Sequence, residues 1–140
     1  MAAHSHRRKV LIIEDEPSIR NVLYVLLAGL GCDGDVAHDS QRGLSMISQS
    51  EFDAVLLDLR SIELPADQIV SAITGMRPSL VGRVLVITGE ISDPQSLEML
   101  ERCAVPHVPR SRLTSDLWGS LRAMLSPVMP PLESTSPKII

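Results

Sequence analysis

Phe52-Asp53-Ala54-Val55-Leu56-Leu57-Asp58-Leu59-Arg60 is the stretch that decides the fold. The apolar run from Ala54 to Leu57, with β-branched Val55 inside it, predicts a strand buried on both faces. Asp58 sits where that run ends, so its charge must be satisfied by something nearby. In open α/β sheets the carboxyl ends of parallel strands are where ligands are held. A second apolar run, Lys9-Val10-Leu11-Ile12-Ile13, also ends in acid, Glu14-Asp15-Glu16. If the two strands are neighbours, these carboxylates meet at one sheet edge.

Outward from these strands the chain alternates strand and helix patterns. Pro17 and Ser18 open a helix, proline being tolerated where the first-turn N–H has no partner anyway. Ile19, Val22, Leu23, Leu26, Leu27 and Leu30 form its inward stripe, and Gly29 and Gly31 stop it. Cys32 to His38 predicts a weaker strand. Asp39 or Ser40 then caps a helix that turns Leu44, Met46 and Ile47 inward. Ile69, Val70 and Ile73 mark a third helix, closed by Gly75 and by Arg77-Pro78. Arg83 to Thr88 is a fourth strand, and Asp93-Pro94 caps a helix carrying Leu97, Met99 and Leu100. Ala104 to Pro109, with two prolines, suits an edge strand. Leu113, Leu117, Leu121 and Leu125 stripe a fifth helix. The sequence thus predicts an α/β fold of three layers, a doubly wound parallel sheet of five strands with right-handed crossovers. Residues 1–8 form an N-terminal extension, 9–125 the folded module, and 126–140 a proline- and serine-rich flexible tail. Five strand–helix units are expected to take up these 140 residues without an effector domain among them, and no internal repeat is present.

Composition narrows the function classes. The chain has 140 residues, enough for one domain burying about two-thirds of its unfolded surface. Hydrophobic residues make up 44 % and aromatics 2 %, so the core is aliphatic and a stacking platform for bases is not expected. A net charge of −4 disfavours nucleic acid as a partner. The two cysteines, Cys32 and Cys103, lie far apart without metal-ligand spacing and are expected to be reduced thiols. No apolar run approaches the ~20 residues of a membrane span. The basic start runs straight into a strand, which argues against a signal peptide. A cytoplasmic location with no membrane partner is expected.

The chemistry rests on the strand ends. They carry Glu14 and Asp15, Asp58, Thr88 and Arg110 in turn. Crowded carboxylates repel, which would raise the pKa of at least one. A hard divalent cation with oxygen ligands relieves the conflict, and Mg²⁺ is the natural candidate. A carboxylate can then attack a phosphoryl group and form an aspartyl phosphate, while a hydroxyl and a guanidinium hold the equatorial oxygens.

On these residues the chain resembles the receiver domain of two-component response regulators, over residues 9–125. The intervals of 43 residues from Asp15 to Asp58, 30 to Thr88 and 22 to Arg110 fit that family without gaps. The resemblance implies a flavodoxin-like (βα)5 fold with strand order 2-1-3-4-5. It implies that Asp58 accepts the phosphoryl group, and that Asp15, Asp58 and the backbone carbonyl of Arg60 bind Mg²⁺, supported by Glu14 through water. Thr88 and Arg110 would contact the phosphoryl oxygens, with Thr88 and His107 acting as the switch pair. The implied partners are a sensor histidine kinase or phosphotransfer protein, and a downstream protein met by the fourth helix, fifth strand and fifth helix. A stand-alone receiver, monomeric or weakly dimeric, is the expected form. Receivers catalyse their own phosphoryl uptake and loss but are not enzymes of small-molecule turnover.

The chain departs from the family at several positions. Arg110 stands where lysine is usual, Ser111 where a proline follows, and His107 where an aromatic residue stands. Ile62 and Ala66 replace the usual proline and glycine after Asp58, and Gly89 replaces a small alanine or serine. Arg60 and Glu90 flank the pocket and would cover it if they paired. These departures motivate an alternative, a degenerate receiver that binds partners without phosphorylation. A flavin or nucleotide enzyme of similar topology fails on charge: its phosphate loop, after the first strand, would be Glu-Asp-Glu-Pro, and GxxxxGK[ST] does not occur.

Overall fold

The central strand, β3 (Ala54–Asp58), is buried at all five positions, as its unbroken apolar run predicts. The computed structural model describes residues 7–61, 65–89 and 94–125, with Ser61 by its backbone alone. On either side of β3 lie β1 (Arg8–Ile13) and β4 (Val84–Thr88). The edges are β2 (Cys32–Ala37) and β5 (His107–Pro109). All neighbours are parallel, in the order β2-β1-β3-β4-β5.

Side chains alternate across the sheet and divide the interior in two. Val10, Ile12, Ala54, Leu56, Leu85, Ile87 and Val108 face one side. Against them pack Leu23 and Leu27 of α1 (Pro17–Gly29) and the four leucines of α5 (Leu113–Leu125). Leu11, Ile13, Val55, Leu57, Val84 and Val86 face the other side. They meet α2 (Ser40–Gln49), α3 (Ala66–Met76) and α4 (Pro94–Arg102) through residues such as Ile47, Ile69, Ile73 and Leu100. Each fully buried leucine or isoleucine is worth roughly 1.5–3 kcal/mol, so packing rather than helix propensity holds the layers.

The local signals act as expected where they are strong. Asp39 caps α2 by accepting from the Arg42 N–H at 2.8 Å. Pro17 occupies the first turn of α1, and Gly31 turns the chain into β2 at φ +73°. Edge strand β2 keeps Asp33 and Asp35 exposed, which discourages pairing with another chain.

Three boundaries differ. Gly75 lies inside α3 and does not end it; the helix closes when the Arg77 N–H donates to Ile73 O. In α2 the fully buried positions are Ser40, Gly43 and Ile47, with Leu44 and Met46 only partly covered. The reason is Gly43, where a Cβ would stand 2.5 Å from Cδ1 of Ile13, so the helix rides directly on β1. The fifth strand is only three residues long because α4 uses the preceding residues to finish itself. The Val105 N–H donates to Leu100 O and the Ala104 N–H to Glu101 O, with Ala104 left-handed at φ 56°. The expected cap Asp93, residues 1–6 of the N-terminal extension and the tail at 126–140 lie outside the described residues.

Candidate functional site

The strand register brings the acidic residues to one edge. Ile13 is level with Leu57, so Glu14 and Asp58 leave the sheet side by side at the ends of β1 and β3. Asp58 is level with Ile87, and Thr88 with Pro109, which puts Thr88 and Arg110 at the ends of the next two strands. Asp58 is 0 % exposed, Glu14 1 % and Thr88 2 %: three buried polar side chains at one end of an apolar sheet.

Buried carboxylates need partners, and those of Asp58 are defined. Its Oδ1 accepts the Arg60 N–H at 2.9 Å, in the tight turn Leu59–Ser61 that follows β3. Its Oδ2 accepts from Nη2 of Arg110 at 2.5 Å. Arg110 opens a tight turn after β5 and is itself largely covered, its side chain 15 % exposed. Its Nη1 donates to Oε1 of Glu16 at 3.0 Å. The Nε of Arg110 is buried with no acceptor among the described residues.

The acidic loop splits three ways. Glu14 turns inward, and its Oε2 accepts the Glu16 N–H at 3.2 Å. Asp15 is exposed. Glu16 pairs with Arg110, and its Oε2 accepts from Ser18 Oγ at 2.9 Å. Its carboxyl is held below the ordinary range, first by the Ser18 hydroxyl and then by Arg110.

Sequence reasoning did not single out Glu16 or Ser18. The signal that could have found Glu16 is its place immediately before the proline of α1, at the same strand end as the other acids. His107 is half-buried, with Nδ1 placed 3.0 Å from Val105 O, a geometry that puts the ring proton on Nδ1. Its Cα is level with Val86, two residues below Thr88. Arg60 is exposed, and its suggested partner Glu90 lies outside the described residues, as does Ile62.

The donor chemistry suits a hard cation: carboxylates and a backbone carbonyl, with no soft ligand at the edge. Among the described residues no three His, Cys, Asp or Glu side chains stand ready-made as a metal cluster. The geometry explains why. Arg110 holds one oxygen of Asp58, and Asp15 faces solvent.

Comparison with known proteins follows the same lines. The family model described as the response regulator receiver domain matches residues 10–117. The response regulator MprA of Mycobacterium tuberculosis is 25 % identical over 122 residues, covering 87 % of this chain and 52 % of that protein. The DNA-binding response regulator MtrA of Mycolicibacterium smegmatis is 26 % identical over 119 residues, covering 85 % and 51 %. The chain therefore spans about half the length of these curated relatives.

Among solved structures, the receiver domain of a signal transduction histidine kinase from Syntrophus aciditrophicus superposes with a TM-score of 0.74 at 20 % identity, covering 93 % of this chain and 98 % of that one. The receiver domain of a Pseudomonas aeruginosa sensor histidine kinase, which has magnesium coordinated in its active-site cleft, gives 0.71 at 16 %, covering 86 % and 98 %. These likenesses show the flavodoxin-like fold. Among the described residues no helix is long and apolar enough to cross a membrane. With the family model covering most of the folded module, the chain belongs to the response regulator receiver domain family.

Proposed function

We propose that Asp58 is a phosphoryl acceptor in a phosphorelay, and that the module is a phosphorylation-controlled protein-interaction switch. The observation that carries this reading is the fully buried Asp58 carboxylate at the sheet's carboxyl edge, gripped by Arg110 and by the Arg60 N–H. Response regulators work with histidine kinases, so the donor is a phosphohistidine on a sensor kinase or phosphotransfer protein. A carboxylate oxygen of Asp58 attacks phosphorus, the new O–P bond replaces the P–N bond, and the imidazole leaves. The Arg60 N–H fixes the carboxylate plane through Oδ1. Arg110 hands its Nη2–H from the carboxylate to a phosphoryl oxygen, so the guanidinium charge follows the negative charge as it moves outward. Thr88, buried at the end of β4, supplies a hydroxyl donor to the same group.

Glu14, Asp15, Asp58 and the Arg60 carbonyl would hold Mg²⁺, as the Pseudomonas relative's occupied cleft supports. When bound, the cation would supply charge neutralisation for the transferred group. The phosphoryl group, with ~1.5–2 negative charges in place of the carboxylate's one and set further out, then biases the edge formed by α4, β5 and α5, the face proposed to meet a downstream protein, with His107 of β5 in the path. The same closure of Arg110 over Asp58 favours a second reading, a degenerate receiver in which the pair is permanent.

Acetyl phosphate or beryllofluoride with Mg²⁺ separates the two. A mass increase or a Trp118 fluorescence change, abolished in Asp58→Asn, supports the switch. An unmodified, unresponsive parent chain supports the degenerate module.

A further inference from the structure

Glu16 has no part in the mechanism just described, yet it is wired into it. It is the N-cap residue of α1, a position where a side-chain oxygen normally accepts a first-turn N–H. Here the side chain makes no such cap. Its two oxygens are committed elsewhere, Oε1 to Nη1 of Arg110 and Oε2 to Ser18 Oγ. A continuous chain of contacts therefore runs from exposed Ser18 through Glu16 and Arg110 to buried Asp58.

This wiring needs arginine. A guanidinium presents several donors in a rigid fork and can hold one carboxylate on each terminal nitrogen, whereas lysine is a point charge on a flexible stem. Nη1 donates to Glu16 and Nη2 to Asp58, and the Nε–H is a buried donor without an acceptor among the described residues.

We infer that Glu16 is a positioning residue: it braces Arg110 from behind so that the guanidinium stays over Asp58 when a phosphoryl group arrives. The inference rests on the reading of Asp58 as the acceptor. Before transfer, Arg110 has two anchors, Asp58 and Glu16. During transfer the Asp58 anchor is given up to the phosphoryl oxygens, and Glu16 is the anchor that persists. Loss of Glu16 therefore weakens the occupied site more than the empty one. Ser18 acts one step further out by fixing the carboxylate's other oxygen, so its removal has the same sign and a smaller size.

The test is a double-mutant cycle on the full chain, with beryllofluoride and Mg²⁺ as the probe and the ¹H–¹⁵N resonance of Arg110 Nε as a second readout. Glu16→Ala should weaken beryllofluoride binding about tenfold in the parent and less than about twofold in an Arg110→Lys background. Glu16→Gln, which keeps the acceptor oxygen, should recover most of the loss. Without any probe, Glu16→Ala should broaden or shift the Arg110 Nε resonance. An equal loss in both backgrounds, or an unmoved Nε resonance, overturns the inference. Should the parent chain itself fail to bind beryllofluoride, the acceptor reading falls, and the Nε resonance alone decides whether Glu16 positions Arg110.

Discussion

Arg110 reaches back 52 residues to place Nη2 2.5 Å from Oδ2 of Asp58, a carboxylate with no solvent exposure. A charge buried so completely is tolerated because the guanidinium and the Arg60 N–H share it. Arg110→Ala leaves Asp58 with the Arg60 N–H as its one partner among the described residues. It should destabilise the fold by about 3 kcal/mol at neutral pH, read from urea unfolding, with Arg110→Lys losing less than half as much. An unfolding midpoint unchanged in Arg110→Ala would show that the pair contributes nothing.

Two helical glycines should respond oppositely to the same change. At Gly43 a new Cβ meets Cδ1 of Ile13 at 2.5 Å and Cγ1 at 2.9 Å, in the layer between α2 and β1. Overpacking of ~1–3 kcal/mol then outweighs the ~1 kcal/mol helix preference for alanine, so Gly43→Ala should destabilise. At Gly119, in the middle of α5, nothing lies within 4 Å of the new atom. Gly119→Ala should stabilise by about 0.5–1 kcal/mol. A thermal melt showing Gly43→Ala stabilised would contradict the packing described for α2, and one showing Gly119→Ala destabilised would contradict the open space at α5.

Ala104 holds the left-handed turn that closes α4, at φ 56°. A Cβ in that conformation costs roughly 1–2 kcal/mol, part of which glycine loses again through its freer unfolded chain. Ala104→Gly should therefore raise stability by about 0.5–1 kcal/mol. A chemical melt showing loss rather than gain would mean that the methyl group does more for the packing around α4 than its backbone strain costs.

The pH dependence has a defined sign at each end. Glu16 is lowered from its ordinary 4.5 by Ser18 and then Arg110. Asp116 is lowered from 3.8 by Arg112 and then Ser115. Both carboxyls bind a proton less tightly in the folded chain. The stability they add is full above those ordinary values and is lost as pH falls through the folded ones. Glu16→Gln with Asp116→Asn should flatten the acid limb of urea midpoint against pH. At the other end, burial raises the Cys32 thiol above its ordinary 9.0. Its contribution is full below 9.0 and lost as pH climbs through the raised value, so Cys32→Ala should flatten the alkaline limb. Limbs unaltered by these substitutions would assign the pH dependence to other groups.

The sheet was legible because β1, β3 and β4 each carry a run of four apolar residues too short for a helix, the pattern of a doubly covered parallel strand. The meeting of Glu14, Asp58, Thr88 and Arg110 at one edge followed from strand order, since every run ended in a polar residue at its carboxyl end. What the sequence hid was of shorter range and three-dimensional. The close approach at Gly43 depends on which face of α2 meets Ile13, and a lone glycine in a helical pattern does not announce that. The fifth strand looked longer because Val105 and Pro106 suit an extended chain, whereas the carbonyls at the end of α4 claimed the N–H groups of Ala104 and Val105. Glu16 was hidden because its partner lies 94 residues away, beyond any local pattern.

The alternation of Val10 and Ile12 against Leu11 and Ile13 makes the sheet a wall between two separate interiors. The buried residues on its two sides form separate clusters, so mechanical disturbance has little purchase through the plane. Whatever changes at Asp58 is constrained to spread sideways along the rim, strand end to strand end. The molecule's geometry therefore favours a message carried around its margin over one carried through its middle.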